Sequence, residues 1–289
     1  MTLAWLFPGQ GSQEVGMGRE LCAASAAARE IFERADRALG FSLQKLCFEG
    51  PIETLTLTEN AQPAIVTASI AALAALREAH PTFPTPAFAL GHSLGEYSAL
   101  VAAGALSLED AVRLVRLRGR AMQDAVPEGR GAMAAIMGGD EAAVQTLCDD
   151  AAQGETISPA NFNAPGQIVI SGAAGAVARA RDLAGSRGLK AIPLKVSAPF
   201  HSSLMAPAAR AVEAALATMT LGTLAFPVVA NVDARPNTDS ANVKGLLVRQ
   251  IDGPVRWHES IAFVADAGVT KALEIGPGKV LAGLVKRID

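Results

Sequence analysis

Short apolar runs alternate along the chain with longer stretches in which apolar residues recur at helical spacing. The runs at residues 3–7, 87–90, 227–232 and 271–275, with Gly or Pro beyond each, read as buried strands. Segments 20–39, 61–79, 108–125 and 204–219 carry the helical pattern between them. Strands separated by helices predict a parallel sheet with crossover helices. The rhythm changes in the middle. Residues 132–137 read as a strand, 141–152 as a helix, and 156–162 and 167–171 as two strands joined at the turn residues 163–166. Residues 174–186 are again helical and 190–196 again a strand. This β-α-β-β-α-β order is that of a ferredoxin-like unit. The expected organisation is an α/β domain, residues 1–127 and 198–289, interrupted by a small α+β domain at 128–197. Segments 128–131 and 197–199 serve as linkers.

Composition narrows the function classes. The chain has 289 residues, of which 50% are hydrophobic and 18% charged, with a net charge of -3. That size fits one large or two modest domains. A nearly neutral, apolar chain is not expected to be disordered, and a slightly acidic one is not a dedicated nucleic-acid binder. Aromatics make up 4%, too few for base-stacking platforms. The three cysteines, Cys22, Cys47 and Cys148, form no CxxC and suit a reducing compartment. No basic segment followed by an apolar stretch opens the chain, so no signal peptide is expected. The most apolar stretch, 64–76, contains Thr67 and Ser69 and is shorter than the roughly 20 residues a membrane span needs. A soluble, cytoplasmic protein without membrane association is expected.

Candidate chemistry centres on Gly91-His92-Ser93-Leu94-Gly95, a G-x-S-x-G between a strand and a helix-like segment at 96–103. A sharp turn there lifts the Ser93 hydroxyl out of the sheet, and the N–H after it can serve an oxyanion hole. Glu96, in the first helical turn, is read as complementing the helix dipole. A serine needs a base, and four histidines are available. His80 reads as a surface helix cap, His92 as pointing away from its neighbour Ser93, and His258 as structural. His201 lies in a loop between a strand and a helix, where catalytic groups collect, and is the leading base candidate. No two histidines have metal-ligand spacing. On helix 108–125, Arg113, Arg116 and Arg120 share one face and read as solvated, whereas Arg118 falls in the apolar arc. A buried guanidinium requires an anionic partner. Either Asp110 or Glu96 forms an internal salt bridge with it, or it grips a substrate carboxylate. The Gly-rich loop at 7–13 is neither a Walker A loop nor G-x-G-x-x-G, and better suits bringing an N–H to a reacting oxygen. Gln250 and the Gly276–Gly278 turn read, at first, as punctuation.

Together these pieces resemble the malonyl-CoA–acyl carrier protein transacylases of bacterial fatty acid synthesis. The marks are FPGQGSQ at 7–13, GHSLGE at 91–96, LRG at 117–119, ANFNAPGQIVISG at 160–172, APFHS at 198–202, PVRW at 254–257 and EIGPG at 274–278. The resemblance implies a hydrolase-like α/β core with a ferredoxin-like insertion. By resemblance, Ser93 attacks malonyl-CoA and becomes malonylated, and His201 is its base. Arg118 pairs with the malonyl carboxylate. The N–H groups of Gln10 and Leu94 form the oxyanion hole, and the main-chain carbonyl of Gln250 orients the histidine. The phosphopantetheine thiol of acyl carrier protein then takes the acyl group. Phe200, before the histidine, accompanies malonyl rather than methylmalonyl units in this family. No cofactor is implied, because the coenzyme A thioester enters as substrate. A monomer is expected, with Lys190, Lys195, Lys279 and Lys286 as candidates for docking the acidic carrier. The tripeptide 251–253 departs from the family pattern. The rival readings are a thioesterase, against which Arg118 argues, and a silent carrier-docking module.

Overall fold

A computed structural model of the chain describes residues 2–289 as two sheets with their helices. The strands are β1 (Leu3–Phe7), β2 (Phe88–Gly91), β3 (Gly131–Met137), β4 (Ile157–Ala164), β5 (Gln167–Ala173), β6 (Lys190–Pro193), β7 (Val228–Ala230), β8 (Arg235–Asn237) and β9 (Lys271–Glu274). The first sheet has the order β8-β7-β2-β1-β9, with parallel pairing throughout except for the antiparallel edge strand β8. In β1 every residue from Ala4 to Phe7 is buried. That is expected of a central parallel strand covered on both faces. Trp5 and Phe7 join a core that includes helices Thr58–Ala79 and Leu108–Asp124. Ala4 and Leu6 point the other way, to Trp257, Ile261 and Leu281. Each large side chain sealed in this way contributes about 1.5–3 kcal/mol.

The second sheet, β4-β5-β3-β6, is antiparallel. Alternation along its strands serves two different purposes. Ala134, Ile136, Ile168 and Ile170 pack beneath Val144 and Leu147 of helix Glu141–Ala152 and Val177 of helix Ala174–Ser186. Met133, Ala135, Ala160 and Val169 form a separate cluster on which Phe200 packs. This second face is turned toward the first sheet.

Several elements differ from the sequence expectation. The helix expected over 20–39 is two helices, Arg19–Ala24 and Ala26–Leu39, because extended Ser25 ends one and caps the other, its Oγ accepting from the Ala28 N–H. The helix expected from 61 begins at Thr58. Its first turns carry the buried polar residues Thr58, Asn60 and Gln62, which the apolar pattern passes over. The strand expected over 227–232 ends at Ala230, where the chain reverses through Ala234 (φ 53°) into β8. The strand expected over 190–196 pairs with β3 only to Pro193. The helix expected over 204–219 spans Ala206–Ala217 after a 3₁₀ turn at Ser203–Met205. Helices Ser240–Asp252 and Val280–Ile288 have no counterpart in that expectation. No helix of the described residues is long and apolar enough to cross a membrane.

Candidate active site

Ser93 sits immediately beyond β2 with a left-handed φ of 50°. The flanking glycines explain how the chain makes this turn. A Cβ on Gly91 would collide with the backbone of Gly95, and a Cβ on Gly95 with the Phe7 carbonyl at the end of β1. A Cβ on Gly9 would likewise collide with the His92 carbonyl, so the 8–13 loop runs alongside the elbow. Asn231, just past β7, holds the strained backbone. Its Oδ1 accepts from the Ser93 N–H at 2.6 Å and its Nδ2 donates to the Gly91 carbonyl at 2.7 Å. Strain of this kind, of order 1–3 kcal/mol, persists only where surrounding bonds enforce it.

His201 is buried and lies on the loop after β6, also with positive φ (57°). Its Nε2 is 2.7 Å from Ser93 Oγ. Its Nδ1 lies 3.0 Å from the Gln250 carbonyl and 3.1 Å from the Gly253 carbonyl. Carbonyls only accept, so Nδ1 carries the proton and Nε2 presents a lone pair to the serine. Burial, then Arg118 and then His92 push the imidazole pKa down to about 3. The free enzyme therefore holds a neutral base well below the usual histidine range. The kcat/KM for serine acylation is expected to stay level from pH 8 to pH 5, without the fall near 6.5 that an ordinary histidine gives. Rapid-quench acylation across that range checks this, and a clear loss of rate near pH 6.5 would contradict it.

Arg118, on helix Leu108–Asp124, is 2% exposed. Its Nη1 donates to Gln62 Oε1 (2.9 Å), and its Nη2 to Gln250 Oε1 and to Ser93 Oγ (both 3.1 Å). Its guanidinium carbon lies 5.3 Å from the Tyr97 ring centroid. Of the two acids expected as salt-bridge partners, neither bonds to it. Asp110 accepts from Ser107 and pairs with Arg113, and Glu96 bonds elsewhere. A permanent cation is thus held among neutral acceptors, pointing at the nucleophile. The stripe beside it is a solvated face as expected for Arg113 and Arg120, whereas Arg116 is half-buried against Phe41.

These groups line a cavity of about 310 Å³ between the two sheets. Gln10, Ser93, Arg118 and His201 face Met133 and Val169 across it, and Phe200 closes one side. Leu94 is fully buried directly behind the serine. The Gln10 side chain donates to Thr58 Oγ1 (3.2 Å), and Gln10 lines the same cavity as Ser93. Lys195 and Val280 line the cavity too, which puts Lys195 and the start of helix Val280–Ile288, with Lys279 before it, at the wall. His92 turns away from Ser93, as expected, and reaches Asn163 Oδ1 at 2.8 Å, tying the elbow to the second sheet. His80 ends its helix at the surface, and neither it nor His258 lines the cavity.

Gln62, Asn231 and Glu96 take roles that were not anticipated, and Gln250 was expected only through its main-chain carbonyl. Gln62 and Gln250 supply side-chain carbonyls to Arg118, so Gln250 is no mere punctuation. Asn231 secures the elbow. Glu96 is not a surface complement to the helix dipole. It is 2% exposed, and its Oε2 accepts from the Asn231 N–H (3.0 Å) and Gln250 Nε2 (2.8 Å). No local pattern marks them: Glu96 reads as an ordinary first-turn acid and Gln62 lies in a helix buried almost all round, so their burial shows only in the packed fold.

A serine whose proton is taken by a carbonyl-oriented imidazole, beside a cation with no carboxylate of its own, defines a class: enzymes that pass an acyl group through a serine ester. Comparison with known proteins agrees. Residues 4–287 match the acyl transferase domain family. The malonyl CoA-acyl carrier protein transacylase of Bacillus subtilis is 52% identical over 289 residues, covering 99% of this chain and 90% of that protein. The crystal structure of an acyl carrier protein S-malonyltransferase from Vibrio cholerae superposes with a TM-score of 0.97 at 46% identity, over 100% of this chain and 94% of that one. A malonyl-transacylase solved in complex with its type II PKS acyl-carrier protein gives a TM-score of 0.96 at 45% identity, over 100% and 93% of the two chains. The chain belongs to the malonyl-CoA–acyl carrier protein transacylase family.

Proposed function

We propose that this protein moves the malonyl group from malonyl-CoA to the phosphopantetheine thiol of an acyl carrier protein through a malonyl-serine ester. The observation that carries this reading is the placement of Arg118 within 3.1 Å of the Ser93 hydroxyl, with no acid bonded to it. Ser93 Oγ attacks the thioester carbonyl while His201 Nε2 takes its proton. The N–H groups of Gln10 and Leu94 receive the developing oxyanion. Collapse breaks the carbon–sulfur bond, and the imidazolium returns the proton to the coenzyme A thiolate. The carrier thiol then repeats the sequence in reverse, giving ping-pong kinetics. The Gln250 and Gly253 carbonyls stabilise the imidazolium in place of a triad carboxylate. Arg118 holds the malonyl carboxylate, for which a fork of donors is suited.

The strand order β4-β5-β3-β6 and its two helices support reading residues 128–197 as a ferredoxin-like insertion. Residues 1–127 and 198–289 then form a hydrolase-like core, and the cavity is the cleft between the two. Carrier docking by Lys190, Lys195, Lys279 and Lys286 is supported by Lys195 at the cavity wall.

Intact mass after incubation with malonyl-CoA or acetyl-CoA tests the reading. The expected result is a malonyl adduct on the native protein, little or no acetyl adduct, and neither on Ser93→Ala. Rapid release of free coenzyme A without an adduct would indicate a thioesterase instead, and neither signal would indicate a docking module.

Phe200 packs on Met133, Ala135, Ala160 and Val169 at the cavity wall, and in this reading its ring takes the space an α-methyl group needs. Malonyl-CoA is therefore expected to be preferred over methylmalonyl-CoA by about 1–3 kcal/mol in kcat/KM. The preference should shrink in Phe200→Ser, and equal values for the two substrates on the native enzyme would rule the role out.

A further inference from the structure

The Gln250 side chain bonds at once to the guanidinium, the serine backbone and a buried acid. Its Oε1 accepts from Arg118, and its Nε2 donates to the Ser93 carbonyl (2.9 Å) and to Glu96 Oε2 (2.8 Å). An amide can be turned over at almost no intrinsic cost, so its polarity is decided by its neighbours. Turned over here, it would aim an NH₂ at a guanidinium, donor against donor, and the Gln250 carbonyl would face two acceptors. The Ser93 carbonyl and Glu96 Oε2 are the two groups that hold the NH₂ in place. Glu96 Oε2 makes the shorter of the two bonds and is the one that a side-chain substitution can remove.

We propose that Glu96 is a positioning residue for acyl-group selection, acting through Gln250 to keep that amide's carbonyl on Arg118. The second acceptor on Arg118, Gln62 Oε1, comes from a different helix, so the two amides clamp the guanidinium from both sides and fix its plane. A bidentate grip on a carboxylate depends on that plane. Loss of the Glu96 acceptor frees the Gln250 amide and lets the guanidinium tilt. Recognition of a carboxylated acyl group suffers, while chemistry on an acyl group without a carboxylate does not need the fork.

The rest of the Glu96 environment fits an acceptor rather than a charge. Its side-chain bonds go to Asn231 and Gln250 and not to the N–H groups of its own helix. Burial pushes its carboxyl up to about 7, against the Asn231 and Gln250 bonds that lower it. Both of those bonds end on the same oxygen, Oε2, and a protonated carboxyl still accepts through that oxygen.

The inference rests on Arg118 holding the acyl carboxylate, and the test separates the two. Serine acylation by malonyl-CoA and by acetyl-CoA is measured on the native protein, Glu96→Met and Glu96→Gln. Met removes the acceptor at similar volume, and Gln keeps an acceptor oxygen while removing the charge. In Glu96→Met the ratio of kcat/KM for malonyl-CoA to that for acetyl-CoA should fall about tenfold, carried mainly by a higher KM for malonyl-CoA. Glu96→Gln should keep the native ratio. In a Gln250→Met background the Glu96→Met change should no longer alter the ratio, because the route through the amide is already cut. If Glu96→Met does not fold, Glu96→Asp, one methylene short of its partners, takes its place with the same readout. An equal fall for both substrates would show a purely structural role and overturn the inference. So would a Glu96→Gln variant as impaired as Glu96→Met. A native protein that does not prefer malonyl-CoA would instead remove the role given to Arg118.

Discussion

In an Arg118→Met variant, kcat/KM for malonyl-CoA is expected to fall roughly 100- to 5000-fold, the equivalent of about 3–5 kcal/mol for a buried charge left without its partner. The charge stranded in this case is the substrate's own carboxylate, brought into a cavity lined by Phe200, Met133 and Val169 with no guanidinium beside Ser93 to meet it. Acetyl-CoA carries no such group, so its acylation should change by less than about tenfold, the remaining effect coming from the lost Arg118–Ser93 Oγ bond. Arg118→Lys is expected to recover only part of the loss, because an ammonium cannot reproduce a planar fork. Unfolding of the same variants separates this role from a structural one. Removing one partner of a built ion pair costs about 3–5 kcal/mol, but Arg118 has only neutral acceptors at Gln62 and Gln250. Its replacement should therefore cost less stability than that while nearly abolishing malonyl transfer. A large loss of stability with equal losses for both thioesters would place Arg118 in the scaffold instead.

The contrast between Arg118 and Glu96 shows what the sequence can and cannot reveal about such a site. Arg118 is conspicuous because a charged residue interrupts the apolar arc of a helix whose period is easily read. Ser93 and His201 are conspicuous because each follows a strand-like run and precedes a helix. Glu96 has the same local setting as any acidic residue in a first helical turn, and only the packing of β7 and helix Ser240–Asp252 against it reveals that it is sealed. Asn231 follows a strand of three residues, too short for its end to be located from pattern. Gln62 is one polar residue in a helix that is buried almost all round, where no periodicity marks an inward face. In the fold, the central strands were legible because they are continuous apolar runs. The break at Ser25 was not, because Ala-rich sequence on both sides continues the helical pattern across it, and only the Ser25 cap ends it. The edge strand β8, Arg235–Asn237, carries almost no apolar signal, being exposed on its outer side.

Replacing His201 by Ala should slow acylation of Ser93 by about 10³-fold or more, within the range that general bases contribute to proton-transfer steps. The geometry sets the terms of that loss. Ser93 Oγ donates to His201 Nε2 and accepts from Arg118 Nη2, so the arginine remains to stabilise a partly formed alkoxide after the base is gone. Some malonylation should survive, and it should rise with pH, because hydroxide must do what the imidazole no longer does. The native enzyme should lack that dependence down to pH 5, its base being neutral throughout. Ser93→Ala leaves nothing to acylate, and the double variant Ser93→Ala/His201→Ala should be no slower than Ser93→Ala alone, because the two side chains act on one proton. Single-turnover release of coenzyme A from malonyl-CoA, followed across pH for the four proteins, measures all of this. Additive losses in the double variant would mean that His201 serves something other than the Ser93 proton. A His201→Ala variant with a flat pH profile would mean that another group, with His92 the nearest imidazole, takes over as base.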